Sequence, residues 1–200
     1  MTSDFVSSRG WFDRCLKNSL AFRYPTMRLA LNLLYHSPSH HIVETGCMRS
    51  DGSIMEGNST QVFGRFCALE GGYLDTIDIS SLNIGVCKEI TEKYEEWINY
   101  TVGDSVSILA ECYTPIDLLY LDSMDCPIVG DATEAQMHQL AEIRAASHVL
   151  HDKSIVLLDD CEFSNGGKSR LSKKWLGKNG WVCLLDAYQS VWVKNIPPGS

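Results

Sequence analysis

Short runs of aliphatic residues alternate along the 200-residue chain with stretches in which apolar residues recur at helical spacing. The aliphatic runs have the length and composition of buried strands. We predict strands at residues 40–46, 72–79, 98–103, 117–122, 154–160, 180–188 and 190–195. Helical spacing predicts helices at residues 25–36, 62–67, 86–97, 132–150 and 168–178. The fourth helix has Asp131 and Glu134 at its start, spaced as a capping box.

This alternation of strands and helices predicts an α/β fold with a parallel sheet and helices on both faces. Right-handed strand–helix–strand crossovers produce such a sheet. The last two predicted strands are separated by only a few residues, around Ala187–Gln189. So short a connection makes a hairpin, and we therefore expect the sheet to end antiparallel.

Composition restricts the class of protein. The chain is 44% hydrophobic and 21% charged, as in ordinary soluble proteins, and its longest apolar runs are far shorter than the roughly 20 residues of a membrane span. The N-terminus lacks an apolar signal core, and the eight cysteines form no CxxC pair. We therefore expect reduced thiols and a cytoplasmic protein that does not bind membranes. The net charge of −8 makes a nucleic-acid partner improbable.

Carboxylates follow every predicted parallel strand. Ligands of open α/β sheets bind outside the C-terminal ends of the strands, so these side chains are candidates for one shared site. They are Glu44, Asp78, Asp104, Asp122, Asp159 and Asp160. Any one of them could instead be a helix cap or a turn residue.

Three of these strand ends resemble the motifs of the class I S-adenosylmethionine-dependent methyltransferases. They are VETG with Glu44 and Gly46, DTID with Asp78, and VGDS with Asp104. The resemblance implies a Rossmann-like doubly wound sheet of seven strands in the order 3-2-1-4-5-7-6. It also implies a methyltransferase domain at residues 40–196 that follows an N-terminal helical cap segment at residues 1–39.

The same resemblance implies that S-adenosylmethionine is the cofactor. Asp78 would hold the ribose hydroxyls, because a carboxylate accepts hydrogen bonds from both, and Asp104 would address the adenine amino group. The full predicted set of cofactor-binding residues is Glu44, Gly46, Ser59, Asp78, Ile79, Asp104, Ser105 and Asp122. The first loop departs from the compact family pattern, since its next glycines are Gly52 and Gly57.

The fourth and fifth strand ends resemble those of the metal-dependent O-methyltransferases of the catechol and macrocin types. The motifs are LYLDSMD with Asp122 and VLLDDC with Asp159 and Asp160. Three carboxylates that converge repel one another unless a cation lies among them, and hard oxygen ligands suit Mg²⁺. The resemblance implies that one divalent cation binds there. Two alternatives stay open: a capping role with solvated carboxylates, and a metal-free enzyme in which one Asp is the base.

The general base is less well defined. Asp125 stands where catechol-type enzymes have a lysine, which favours an alcohol such as a sugar over a catechol as acceptor. His138 is the second candidate, because Glu142 one turn further along the helix could orient its ring. A structural or surface role for His138 is the competing interpretation.

A basic cluster follows Gly166–Gly167 on this acidic chain, comprising Lys168, Arg170, Lys173, Lys174 and Lys178. It is either a solvated helix face or a surface that attracts an acidic substrate.

These patterns predict an S-adenosylmethionine-dependent methyltransferase that acts on a small hydroxylated molecule or a saccharide. A non-catalytic module that binds S-adenosylmethionine or a nucleotide is the alternative. An NAD-binding protein would need G-x-G-x-x-G after the first strand, and that motif is absent. A methyltransferase for nucleic acid or protein lacks support, because no NPPY-like tetrad occurs. The sequence leaves a homodimer open.

Overall fold

The structure is a computed structural model that describes residues 20–37, 39–50 and 58–194. All seven predicted strands are present, with ends that differ from the predictions by a few residues. They are β1 (His41–Thr45), β2 (Tyr73–Asp78), β3 (Ile98–Val102), β4 (Ile116–Leu121), β5 (Leu150–Leu158), β6 (Trp181–Asp186) and β7 (Ser190–Lys194).

Six α-helices lie within the described residues: α1 (Tyr24–Tyr35), α2 (Ser59–Glu70), α3 (Ser81–Thr91), α4 (Ser105–Ala110), α5 (Thr133–Ala146) and α6 (Arg170–Lys178). Short 3₁₀ helices cover Ala21–Arg23 and Glu92–Trp97. The segment predicted as one helix at 86–97 therefore changes from α to 3₁₀ geometry after Thr91. The predicted capping box is wrong, because Asp131 accepts from the backbone NH of Thr133 and the N-cap residue of α5 is Ala132.

The sheet confirms the predicted topology, with strand order β3-β2-β1-β4-β5-β7-β6. Strands β1 to β5 are parallel, and β7 pairs antiparallel with both β5 and β6. The register aligns Thr45 with Leu121, and Leu121 with Leu158. The residues that follow these three strands therefore meet at one edge.

Two hydrophobic cores, one on each face of the sheet, explain why the strands are almost wholly apolar. Leu118 and Tyr120 of β4 point into the core beneath α1 and α2, whereas Leu119 and Leu121 point into the core beneath α5 and α6. Each such buried aliphatic side chain contributes about 1.5–3 kcal/mol to stability.

Helix α1 packs on the sheet, with Met27 and Leu31 in the same core as Ile155 and Leu157 of β5. About half of the predicted cap segment precedes residue 20 and lies outside the described residues, and the division at residue 39 stays a prediction. Gly52 and Gly57 of the first loop also lie outside them. In the described part of the chain, every cysteine is a free thiol and the helices are too short or too polar to cross a bilayer.

Candidate active site

The ends of the parallel strands are tied together by backbone hydrogen bonds that continue the sheet by one residue. The backbone NH of Gly46 donates to Ile77 O (2.8 Å) and that of Asp122 donates to Thr45 O (2.9 Å). Gly46 has a φ of +81°, and a Cβ atom there would lie 2.4 Å from Asp122 O. Only glycine fits this approach of two strand ends. Two adjoining cavities open directly above it.

The first cavity has a volume of about 260 Å³ and a mainly apolar lining. It is lined by Gly46, Ile77, Asp78, Ile79, Gly103, Asp104, Ser105, Ser123, Met124 and His138. Five of the predicted cofactor-binding residues are thus brought together around one space, although they come from three separate strand ends.

Asp78 is almost buried and lies between the two cavities, both of which it lines. Its Oδ1 accepts from the backbone NH of Ser80 (2.8 Å) and from Asn83 Nδ2 (3.1 Å), and its Oδ2 accepts from the backbone NH of Cys47 (3.3 Å). These donors fix the carboxylate at the mouth of the site. Oδ2 also has contacts of 3.3 Å with Asn83 Nδ2 and 3.6 Å with Cys47 Sγ, and because all of its contacts are long, it is the oxygen to which a ligand hydroxyl can donate.

Asp104 caps a helix and also lines the first cavity. Its Oδ2 accepts from the backbone NH (2.9 Å) and the hydroxyl (2.6 Å) of Ser107, which makes it the N-cap of α4. These hydrogen bonds lower the pKa of Asp104. It is nevertheless exposed and lines the first cavity as an ionised acceptor.

His138 lies in the first cavity, beside Asp104 and Ser105. Its Nε2 is 3.4 Å from Oε1 of Glu142, which is fully buried and accepts also from the Ser105 hydroxyl (2.6 Å) and the Ser123 hydroxyl (2.7 Å). The expected contact between His138 and Glu142 is therefore present. The hydrogen bond to Glu142 raises the pKa of His138, which favours the imidazolium form. The other predicted base, Asp125, lines the second cavity, not the first.

Glu44 and Ser59 line neither cavity. The Glu44 side chain turns inward, where Oε2 accepts from the hydroxyls of Thr60 (2.6 Å) and Thr76 (2.8 Å). Burial raises the pKa of Glu44 to about 7 despite these hydrogen bonds. Ser59 is buried at the first position of α2. The predicted contact of both residues with the cofactor stays a prediction.

The second cavity, of about 290 Å³, is polar and adjoins the first through Gly46, Asp78, Ile79 and Ser123. Its remaining lining residues are Arg23, Cys47, Arg49, Asn83, Asp122, Asp125, Asp160 and Tyr188. Asp125 is exposed and accepts from both terminal nitrogens of Arg49 at 3.1 Å. Hydrogen bonding to Arg49 lowers the pKa of Asp125, and a carboxylate with a lowered pKa is a weak base.

Asp122, Asp159 and Asp160 converge as expected, each offering an oxygen within 4.8 Å of the others. Two side-chain cations lie among them. Arg23 donates through Nε to Asp159 Oδ1 (3.1 Å) and through Nη2 to Asp159 Oδ2 (2.8 Å). Burial disfavours the charged guanidinium, but the adjacent Asp159 raises the pKa of Arg23 above its usual value.

Lys168 is the second cation, and only 2% of its side chain is exposed. Its Nζ donates to Asp122 Oδ1 and to Met124 O (3.3 Å), and it forms an ion pair with Asp160 Oδ2 at 3.2 Å. Burial alone would lower the pKa of Lys168, yet Asp122 and Asp160 raise it. The ammonium therefore stays charged. Assigning Lys168 to a basic helix face was wrong, because α6 begins only at Arg170.

Two tyrosines complete the cluster. Tyr120 Oη donates to Asp122 Oδ2 (3.0 Å), and Tyr188 Oη donates to Asp160 Oδ1 (2.7 Å). Burial, then the proximity of Asp159, raises the pKa of Asp122 to about 6. Five of the six carboxylate oxygens of the cluster thus have a hydrogen-bond donor from the protein, and the sixth, Asp160 Oδ2, forms an ion pair with the Lys168 ammonium.

This donor set does not fit a divalent cation. Mg²⁺ is held by carboxylate oxygens together with several water molecules, and here Lys168 Nζ lies where such a ligand sphere would have to form. The prediction that three carboxylates meet was correct in geometry. A cation was expected among them, and the chain supplies two of its own, Arg23 and Lys168.

Sequence reasoning missed Arg23, Lys168 and Tyr188. Arg23 carries no local signal, since its partner Asp159 is 136 residues away. Lys168 does have a local signal in the sequence, because it directly follows Gly166 and Gly167. Both glycines have a positive φ, and such a pair marks a sharp turn that can change the direction in which the next side chain points. The basic residues Arg170, Lys174 and Lys178, which follow this turn, are exposed on α6. Lys173 differs from them because it pairs with Asp186. A solvated helix face describes them.

The strand order and the site at the strand ends define the fold of the class I S-adenosylmethionine-dependent methyltransferases. No protein-family model matches the chain, and no curated protein matches it in sequence. Among solved structures, the chain is similar to an apo structure of CalS11, a TDP-rhamnose 3′-O-methyltransferase of calicheamicin biosynthesis. That match has a TM-score of 0.62 and 16% identity, and covers 100% of this chain and 87% of that one.

Two further structures show the range of similar proteins. An O-methyltransferase from Bacillus cereus in complex with SAH has a TM-score of 0.59 and 14% identity, and the match covers 97% of this chain and 92% of that one. A putative rRNA-methylase from Clostridium thermocellum has a TM-score of 0.61 and 11% identity, with coverage of 85% and 97%. At such identities the likeness confirms the methyltransferase fold.

Proposed function

We propose that this protein is an S-adenosylmethionine-dependent methyltransferase that acts on a hydroxyl group of a small molecule or a saccharide. The observation that carries the proposal is the pair of adjoining cavities at the C-terminal ends of the strands. One is mainly apolar with acidic groups at its ends, and the other is polar. The first suits a nucleoside with a sulfonium side chain, and the second suits a hydroxylated acceptor.

In the first cavity we place the cofactor along the strand ends. Asp78 accepts from the ribose hydroxyls, and Asp104 with Ser105 lies at the adenine end. Ile79 is 76% exposed, which leaves its side chain free to cover the adenine face. Gly46 allows the backbone to approach the methionine part of the cofactor. His138 would lie at the adenine end, since it lines the first cavity and not the second, which argues against its role as the base.

The acceptor would lie in the second cavity, where Asp122 and Asp160 meet Tyr188. The methyl group of a sulfonium is already activated, so positioning of the acceptor oxygen carries much of the rate. A carboxylate of this cavity would take the proton of the acceptor hydroxyl. Asp122 is a better candidate than Asp125, because burial raises the pKa of Asp122 to about 6 whereas hydrogen bonding to Arg49 lowers the pKa of Asp125.

A divalent cation at Asp122, Asp159 and Asp160 stays a prediction from the resemblance alone. We assign no step to it, because the oxygens of the cluster are engaged by Arg23, Lys168 and the tyrosines. A cytoplasmic location and a homodimer are likewise predictions.

Calorimetric titration with S-adenosylhomocysteine and S-adenosylmethionine is the first test. We expect micromolar binding of both and no binding of NAD⁺ at the same concentrations. Absence of binding would refute the assignment.

A turnover screen separates an enzyme from a binding module that kept the fold. Incubation with S-adenosylmethionine and a panel of sugar nucleotides, glycosides and phenols should release S-adenosylhomocysteine with at least one acceptor class. A structured rRNA fragment belongs in the panel because a putative rRNA-methylase shares the fold. The net charge of −8 favours the small molecules.

A further inference from the structure

We infer that Arg23 and Lys168 together take the place of a divalent cation in this site, so that the protein transfers methyl groups without a metal and Lys168 positions the carboxylates facing the acceptor. This inference rests on the proposed function, since it concerns how the same site works. It is carried by the arrangement of charges in the acidic cluster.

The charges nearly balance inside the protein. Three carboxylates converge within 4.8 Å, and a guanidinium and an ammonium lie against them. Arg23 neutralises Asp159, the only one of these three carboxylates that is fully buried, while Lys168 bridges Asp122 and Asp160. The cluster as a whole keeps a net charge of −1, so a divalent cation would have little negative charge to neutralise there.

Lys168 is also held in place by the backbone around it. Its backbone NH donates to Asp160 O (3.1 Å), and a Cβ atom on the preceding Gly167 would lie 1.8 Å from that same oxygen. Asp160 itself has a φ of +51°, a strained conformation for a residue with a side chain. The turn fixes the backbone of Lys168, and because only 2% of its side chain is exposed, withdrawal of the ammonium to admit a metal would require the residues packed around it to move.

The arrangement has a consequence for the acceptor. The exposed edges of the cluster are Asp122 and Asp160, whose side chains are 20% and 13% exposed to the second cavity. Lys168 contacts both carboxylates, and the Tyr188 hydroxyl donates to Asp160. The guanidinium of Arg23 in turn lies 4.7 Å from the centre of the Tyr188 ring. Lys168 thus sets the geometry of the groups that receive the acceptor without contacting the acceptor itself.

The first experiment measures Mn²⁺ binding to the wild-type protein by electron paramagnetic resonance, with S-adenosylhomocysteine bound. We expect no stoichiometric Mn²⁺ site below millimolar concentration. Methyl transfer should change by less than about twofold when EDTA is added. A Mn²⁺ site of micromolar affinity that Asp159→Asn removes, or loss of turnover in EDTA, would overturn the inference.

The second experiment opens the cluster by removing one cation. In Lys168→Gln, Asp122 and Asp160 lose their shared cation, and we expect a Mn²⁺ site to appear there. The kcat should fall by about tenfold or more, while the affinity for S-adenosylhomocysteine stays near that of wild type. Lys174→Gln is the matched control, because Lys174 is exposed on α6.

If Lys168→Gln folds, binds S-adenosylhomocysteine and still binds no more Mn²⁺ than Lys174→Gln, the inference is refuted. If it does not fold, the titration of the wild-type protein still decides the question. Failure of the proposed function has a different signature, since the wild-type protein would then bind no S-adenosylhomocysteine at all.

Discussion

The guanidinium of Arg23 and the carboxylate of Asp159 form a buried ion pair, in which Arg23 Nη2 lies 2.8 Å from Asp159 Oδ2. It links the segment before α1 to the end of β5, and so joins the N-terminal part of the chain to the active-site edge. Because both groups are shielded from water, the loss of one partner leaves an uncompensated charge in the interior.

We therefore expect Arg23→Met to lower the free energy of unfolding by about 3–5 kcal/mol, as measured by urea denaturation. Arg144→Met, at an exposed position of α5, should leave it essentially unchanged. The double variant Arg23→Met/Asp159→Leu should regain most of the loss, because neither charge is then buried alone. Equal losses in the single and double variants would show that packing matters here and pairing does not.

Asp78→Asn should weaken binding of S-adenosylhomocysteine by about tenfold or more, because the replacement removes the charged acceptor that faces the ribose. Asp75→Asn is the control from the same strand. Its carboxylate accepts from His41 and Asn99 and lies outside both cavities. Calorimetry measures both variants, and a similar loss in both would contradict the assignment of Asp78.

Glu44 predicts a pH dependence of stability. Its pKa rises from 4.5 to about 7 on folding, so the folded state binds more protons than the unfolded state between these values. Stability should therefore fall as pH rises through this window. A pKa difference of one between the folded and unfolded states corresponds to about 1.4 kcal/mol, so the free energy of unfolding should fall by about 3 kcal/mol over this window.

Urea denaturation of the protein and of Glu44→Gln across this range measures the effect. The difference in unfolding free energy between the two should grow in favour of the variant as the pH increases. A difference that does not vary with pH would show that Glu44 is ionised throughout.

Gly46→Ala should unfold the protein or abolish cofactor binding, since a Cβ atom at this position meets Asp122 O at 2.4 Å. Gly130→Ala separates this clash from conformational strain, because Gly130 has a similar φ of +93° with nothing within 4 Å. The control should lose only about 1–2 kcal/mol, the usual cost of a left-handed backbone for a residue with a side chain. Thermal unfolding measures the stability of both variants and calorimetry measures their binding of the cofactor. Equal losses of stability in Gly46→Ala and Gly130→Ala would contradict the explanation by a steric clash.

His138 should titrate above its usual pKa, because Glu142 stabilises the imidazolium. Glu142→Gln should lower the pKa of His138 when both are followed by NMR. His148→Gln, just beyond the C-terminal end of α5, is a control that should leave the pKa of His138 unchanged. A His138 resonance that titrates identically with and without Glu142 would contradict the hydrogen bond.

The local pattern of the chain was enough to predict most of the fold. The runs IVETG, LLYLD and IVLLDD alternate with helical periodicity, and β strands with two buried faces must be almost wholly apolar. The carboxylates after those runs could be placed at one edge because parallel strands share their direction. Gly46 and Asp78 were found in the same way.

Long-range pairing could not be read from local patterns. Arg23 contacts a residue 136 positions away. Helical periodicity had placed Lys168 on a helix, but Lys168 lies in the turn after Gly166 and Gly167 and contacts Asp122 and Asp160. Glu44 was expected at the cofactor, but its side chain hydrogen-bonds inward to Thr60 and Thr76.

The sequence by itself determined that carboxylates would follow the parallel strands at one edge of the sheet, since strand type and direction follow from local patterns, whereas the strand order that makes three of them neighbours was implied by the resemblance to the methyltransferase family. Only the tertiary structure decided what balances their charge. That balance depends on which distant side chains reach a space less than 5 Å across, and the chain places Arg23 and Lys168 there.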